Sequence, residues 1–295
     1  MGTRIIRGGA GSVTGHRCVG TLMIVRNPGD CMLRGALRVH ALPFVILAIL
    51  PLTAAPAEAQ WRKVPIPTMP RTADGQPDLS APAPRLPNGR PDLSGIWRAD
   101  NASDLTVDIK PAGVPFQPWA KELYDQRKDG ARAREDPPTS CLPPGIPRVI
   151  GAPLPWKIIQ LTDSVVILYE AFNFWRQIFL DGRELAPLDE VNPTWVGYSV
   201  GRWDGETLVV ETKGFNGKAW LDQVGKPTTE ALRVVERYRR TDFGTMEIDI
   251  TVDDPKAYTE PWSISERMRL LPSTELMEFV CNENNRALEI LPRTQ

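Results

Sequence analysis

The chain has 295 residues, with 35 Lys/Arg against 36 Asp/Glu and two histidines, His16 and His40. A formal net charge of −1 leaves no basic footprint for nucleic acid. Both histidines lie in a segment that reads as a removable N-terminus, so the mature protein is expected to lack the imidazole that a Ser-His-Asp triad, a Cys-His pair, a His-ligated zinc or a His proton shuttle needs.

Residues 42–54 form a short apolar run, preceded by Arg34 and Arg38 and followed by Ala57-Glu58-Ala59. Basic, apolar and small segments in that order describe a secretory signal peptide. The run is shorter than the roughly 20 residues a membrane span needs, and no later segment is long enough. Residues 1–31 are Gly/Arg-rich and aperiodic, and Met32 begins a signal by itself, so translation is expected to start there. Residues 1–59 are therefore read as leader and signal, and the protein as periplasmic or secreted. Their loss removes six basic and two acidic residues and leaves 29 against 34, a net charge of −5. The mature chain keeps Cys141 and Cys281, which read as one disulfide in an oxidising compartment.

Residues 60–94 are Pro-rich and contain a duplication. Asp74-Gly-Gln-Pro-Asp-Leu-Ser80 recurs as Asn88-Gly-Arg-Pro-Asp-Leu-Ser94. Two copies do not make a solenoid, and the segment reads as an extended, partly mobile arm. Residues 95–295 read as a single β domain that includes an irregular insertion at 98–156. Within it Pro118 opens one short helix with Trp119 and Leu123 on one face, and 136–147 is too rich in proline for regular structure.

From there the pattern is that of strands, at 157–161, 164–170, 173–180, 196–203, 206–213, 231–241, 245–253, 262–271 and 275–281, with Ile96-Trp97 as a first. Asp204-Gly205 is a strong two-residue hairpin signal. Short connections favour antiparallel pairing. The fold class is mainly β: an antiparallel meander of nine or ten strands, closed into a lipocalin-like barrel or folded as a strongly curved sheet.

A period of two assigns faces. Leu232, Val234, Glu236 and Tyr238 share a row, as do Trp262, Ile264, Glu266, Met268 and Leu270. Phe174, Arg176, Ile178 and Leu180 form a third row, and Tyr198, Val200 and Arg202 a fourth. Glu236, Glu266, Arg176 and Arg202 thus interrupt rows that are otherwise apolar, and buried charges need partners. They read either as a structural ion network or as a polar cluster at the floor of an apolar cavity, the anatomy of a small-molecule site. Tryptophan supplies flat apolar faces. Trp175, Trp195 and Trp203, near strand ends, are candidates for a pocket mouth.

Leu93-Ser-Gly95-Ile-Trp97 resembles the G-x-W element that opens the first strand of lipocalin-type barrels. The resemblance implies that Trp97 plugs one barrel end under a basic residue from a late strand, Arg267 or Arg269. Over about 97–284 the segments Cys141-Leu-Pro-Pro-Gly-Ile-Pro-Arg148, Phe174-Trp-Arg-Gln-Ile-Phe-Leu-Asp-Gly-Arg183, Gly197-Tyr-Ser-Val-Gly-Arg-Trp-Asp-Gly205, Thr207-Leu-Val-Val-Glu-Thr212 and Asp253-Asp-Pro-Lys-Ala-Tyr-Thr-Glu-Pro-Trp262 resemble a family of exported bacterial proteins of unassigned function. That resemblance implies no catalytic residue. Its members often carry a histidine near the positions held here by Lys226-Pro-Thr-Thr229.

The glycines at 145–151 and 214–217 match no phosphate loop or dinucleotide fingerprint, and Asp249, Asp253 and Asp254 do not fit an EF-hand, so neither cofactor nor metal is expected. The leading reading is an extracytoplasmic barrel that binds a small, largely apolar or aromatic ligand through Trp97, Trp175, Arg176, Tyr198, Arg202, Trp203, Tyr238 and Trp262. A second is a His-independent hydrolase, lyase or isomerase with Glu236 or Glu266 as general acid/base. A third is an interaction module that makes contact through the arm.

Overall fold

The structure is a computed structural model that describes residues 68–100, 113–187, 190, 192–283 and 285–291. These fall within one unit, Pro56–Gln295. The signal segment, Met32 and Trp61 lie outside the described residues.

Nine strands close into a barrel in which sheet order equals chain order. They are β1 (Gly95–Ala99), β2 (Trp156–Gln160), β3 (Ser164–Tyr169), β4 (Phe174–Phe179), β5 (Tyr198–Asp204), β6 (Thr207–Lys213), β7 (Arg233–Arg240), β8 (Thr245–Asp253) and β9 (Trp262–Leu270). A ring of alternating strands closes only with an even number. With nine, one neighbouring pair must run parallel, and that pair is β4 and β5. The purely antiparallel meander expected from the short connections is corrected at this one junction. There β5 begins, at Tyr198, at the end of the barrel opposite to the one where β4 stops, at Phe179.

Closure also explains why 275–281 forms no strand. β9 is already paired with β8 on one side and β1 on the other, so no edge is left for a tenth strand. The segment instead crosses the β3–β4 connection. The Met277 N–H donates to Glu170 Oε2 (2.8 Å), and Asn173 Nδ2 donates to the Phe279 carbonyl (2.7 Å). Phe172, in that connection, has φ 63°, a left-handed conformation that costs an L-residue about 1–2 kcal/mol. Its ring packs on Phe279 at 5.4 Å, which helps to hold it there.

Strand directions sort the connections into two ends. At one end the turns are tight, at 161–163, 205–206 and 241–244. At the other lie the connections 100–155, 170–173, 214–232 and 254–261. The long-loop end carries helix α1 (Pro118–Arg127), opened by Pro118 as expected, with Trp119 Nε1 donating to the Lys256 carbonyl (2.7 Å). Residues 137–140 form a short 3-10 turn where no regular structure was expected. Cys141 follows it and is bonded to Cys281, with the Cα atoms 5.5 Å apart across 140 residues of sequence. Helix α2 (Ala287–Ile290) lies beyond.

The short-turn end is closed by side chains and by the arm. Trp97 is wholly buried, and its indole donates to the Leu93 carbonyl at 3.0 Å. The basic residue over its ring is Arg240 at the end of β7, 4.9 Å from the centroid, and not Arg267 or Arg269, which face outward on β9. Arg240 donates to the carbonyls of Asp92 (2.6 Å), Ser94, Asp242 and Phe243. The described part of the arm, 68–94, is folded rather than extended. Each copy of the repeat makes the same turn: Arg71 Nη1 donates to Gly75 O and Arg85 Nη1 to Gly89 O, while Asp78 N bonds Pro70 O and Asp92 N bonds Pro84 O. Both copies dock on barrel turns. Gly244 N donates to Leu79 O, and Leu93 N donates to Gln160 Oε1.

Candidate functional site

Alternation places Val234, Glu236 and Tyr238 of β7 inward, together with Arg176 and Ile178 of β4. Arg176 and Glu236 face each other through two parallel hydrogen bonds, Nη1 to Oε1 at 2.9 Å and a shorter one from Nη2 to Oε2. Their side chains are 1% and 0% exposed. Two of the three remaining N–H groups of Arg176 are also engaged. Nε donates to Ser199 Oγ (2.9 Å) and Nη2 to Thr212 Oγ1 (2.6 Å), and the two hydroxyls lie 3.0 Å apart. Tyr238 donates its hydroxyl to Glu236 Oε1 at 2.8 Å. Burial works against the Arg176 charge, but the facing carboxylate outweighs it and holds the guanidinium above its ordinary range. Burial, and then the Glu236 charge, push the Tyr238 phenol well above its ordinary 10.0. Geometry this complete is what makes a buried pair tolerable. It fixes Glu236 in place between Arg176 and Tyr238.

Toward the long-loop end the interior becomes aromatic. Tyr169, the last residue of β3, stacks on Phe174 (centroids 4.7 Å) and leans on Trp156 (6.4 Å). Trp156 and Tyr169 are 1% and 3% exposed. Tyr169 Oη and Trp156 Nε1 are both buried, and among the described residues neither makes a hydrogen bond of full geometry. The Trp262 Nε1, on the inward row of β9, shares that condition. Burial keeps the Tyr169 phenol well above its ordinary value and therefore protonated; Arg176 opposes the shift and Glu236 adds to it. Four of the five N–H groups of Arg176 are spent on Glu236, Ser199 and Thr212, and the guanidinium still lies near enough to the Tyr169 hydroxyl to oppose the shift by charge and by hydrogen bonding.

Tyr169 and Phe174 also line a cavity of about 210 Å³ at the rim of this end, with Trp175, Glu170, Leu276 and Met277. A larger cleft of about 450 Å³ lies at the short-turn end, between Ile96 and Lys157 on the outer wall and the chain at 271–275. The two cations there are already engaged: Arg240 on carbonyls and Lys157 Nζ on Glu275 at 2.7 Å. Neither cavity is lined by Arg176 or Glu236.

The expected residues divide as follows. Glu236, Arg176 and Tyr238 come together. Glu266 faces inward between Ile264 and Met268, as read. Trp262 is buried at the long-loop end, edge-on to Tyr258 at 5.4 Å, and Trp97 is the plug of the opposite end. The inward row of β5 is corrected. It runs Ser199, Gly201 and Trp203, not Tyr198, Val200 and Arg202. Ser199 bonds Arg176, and a Cβ on Gly201 would strike Leu180 and Ile178 at 2.7 and 2.9 Å. Arg202 is exposed, while Tyr198 stacks outside the barrel on Phe179 and accepts from Arg183. Trp203 is half-buried with Arg90 over its ring. Trp175 is 60% exposed, outside the barrel wall but on the rim cavity.

The sequence reading missed Ser199, Thr212 and Tyr169. Each closes or interrupts a strand row with a hydroxyl, a signal quieter than a charge. It also missed a buried ion pair under the long loops, Lys226–Asp222 (2.6 Å), and a partly buried one, Arg148–Asp136 (2.6 Å). Among the described residues no group of three His, Cys, Asp or Glu is placed to hold a metal ion. Comparison of the chain with protein-family models, with curated proteins and with solved structures gave no match.

Proposed function

We propose that this protein binds a small, largely apolar or aromatic ligand outside the cytoplasm, at the long-loop end of its barrel. The observation that carries the reading is Tyr169. Its ring forms part of an aromatic rim cavity, and its buried hydroxyl lies within electrostatic reach of Arg176 and Glu236. Apolar walls with a few oriented polar groups are the usual make-up of a small-molecule site. The cleft at the other end is larger, but its two cations, Arg240 and Lys157, already have partners. The extracytoplasmic setting is supported by the basic, apolar and small segments at 34–59 and by the Cys141–Cys281 bond. In the producing cell, mass spectrometry should find the N-terminus near Gln60.

The test is a thermal-shift screen of small aromatic and aliphatic compounds. A ligand that binds only the folded state raises Tm with concentration. Trp175 is exposed, so Trp175→Ala should leave the unliganded Tm unchanged and weaken the shift. A screen without any concentration-dependent shift, or with shifts that Trp175→Ala leaves intact, would remove the rim cavity from consideration.

A further inference from the structure

We infer that the ligand is an amine bound in its protonated form, with the ammonium group set against the Glu170 carboxylate in the rim cavity; this rests on the ligand-binding reading above. Glu170 directly follows β3 and is 3% exposed. Its Oε2 accepts the Met277 N–H at 2.8 Å. Among the described residues Oε1 accepts no hydrogen bond, and no Lys or Arg pairs with either oxygen. Oε1 is nevertheless not shut off from water, unlike the Tyr169 hydroxyl. Glu170 lines the cavity of about 210 Å³ together with Tyr169, Phe174 and Trp175. A carboxylate held largely out of water is costly unless a counter-charge or several hydrogen bonds meet it, and one backbone N–H is a thin complement.

The cavity walls decide what meets that carboxylate. Trp175 is 60% exposed and stands beside Leu168 of β3. An aromatic face attracts a cation, and tryptophan does so most strongly. Elsewhere the protein covers such faces with its own cations: Arg90 lies over Trp203, Arg127 over Trp220 and Arg240 over Trp97. Among the described residues no cation lies over Trp175, and none of those lining the cavity is Lys or Arg. An anion would meet the Glu170 charge with nothing to offset it. A neutral donor would gain a hydrogen bond but supply no counter-charge, whereas an ammonium supplies both. Leu168, Leu276 and Met277 leave apolar wall for the rest of the molecule. The ligand class is thus a small apolar or aromatic amine.

The test compares two probes of one shape, 2-phenylethylamine and 2-phenylethanol, which differ at pH 7 by the charge. Equilibrium dialysis against the purified protein should give the amine an affinity about tenfold higher, the value of roughly one charge-assisted hydrogen bond. Glu170→Gln keeps an oxygen for the Met277 N–H and removes the charge, so it should bring the amine down to the level of the alcohol. Equal affinities in the unaltered protein, or a preference for the alcohol, would overturn the amine inference and leave the binding reading standing; equality is the result expected if Glu170 serves only to hold the chain at Met277. An amine preference that survives Glu170→Gln would overturn it as well. If neither probe binds, the inference falls, and the thermal-shift screen alone decides the binding reading. The comparison in the unaltered protein does not depend on how the variant folds.

Discussion

The two ends of the barrel are closed by different means. At the short-turn end the closure is complete. Trp97 fills the opening, Arg240 covers it with its donors on four carbonyls, and both copies of the arm repeat are bonded to the turns. At the long-loop end the closure is made of loops, ion pairs and one disulfide. Each end keeps a buried indole N–H without a partner among the described residues, Trp203 at the first and Trp156 and Trp262 at the second, but at the second an aromatic rim cavity lies close by. A barrel with both ends built like the first would be a filled cylinder, and loops at one end of a rigid scaffold are where binding groups concentrate.

The largest effect is expected between the two ends. Glu236→Ala leaves the Arg176 charge buried and should cost about 3–5 kcal/mol in urea unfolding. As a control, Arg233→Ala removes a half-exposed partner of Glu211 and should cost less than about 1 kcal/mol. Equal midpoints for the two would mean that Arg176 finds another partner and that the interior is less dry than its burial indicates. At the short-turn end, Trp97→Ala should cost about 3–5 kcal/mol, the range for deleting a buried aromatic. Ligand binding per molecule of folded protein should not change. If binding falls with it, the two ends are not separable.

Replacing Cys141 and Cys281 by alanine should cost about 2–4 kcal/mol. Limited proteolysis should then reach 271–291 first and leave 68–94 intact. Early cleavage in the arm would reverse the proposed division of labour.

The smallest effect is one of pH. Folding raises the phenol pKa of Tyr169 and of Tyr238 above the ordinary 10.0. Below pH 10 both states carry the proton and the full contribution is present. Above it the unfolded chain ionises first, so stability falls as pH rises. Tyr169→Phe should flatten the decline measured above pH 10. A decline as steep as that of the unaltered protein would show that Tyr169 is not shielded from water.

Much of this was legible in the residues. In β7 and β9 bulky apolar side chains alternate with arginines and serines, so the inward rows containing Glu236 and Glu266 could be read directly. Arg176 was legible for the same reason on β4, and Cys141 and Cys281 by their number alone. β5 misled because its larger side chains face out. Its inner positions are Ser199 and Gly201, small because Arg176, Ile178 and Leu180 occupy the space opposite. A period of two fixes the alternation but not its phase, and a shift of one residue exchanges the faces. The absent tenth strand and the parallel pair were beyond local patterns altogether, since both follow from closing the ring. Arg240 was missed for a related reason: what places it over Trp97 is the end of a distant strand.

The odd strand number leaves the wall with a seam. β4 and β5 share only two paired positions, Ile178 with Ser199 and Phe179 with Val200, where other neighbours are zipped over more of their length. Arg176 stands at that seam. Rooted on β4, its guanidinium reaches Ser199 on β5, Thr212 on β6 and Glu236 on β7. Where backbone rungs are few, one side chain laces four staves together from the inside. The Arg176–Glu236 pair thus ties the wall together across the junction with two backbone rungs.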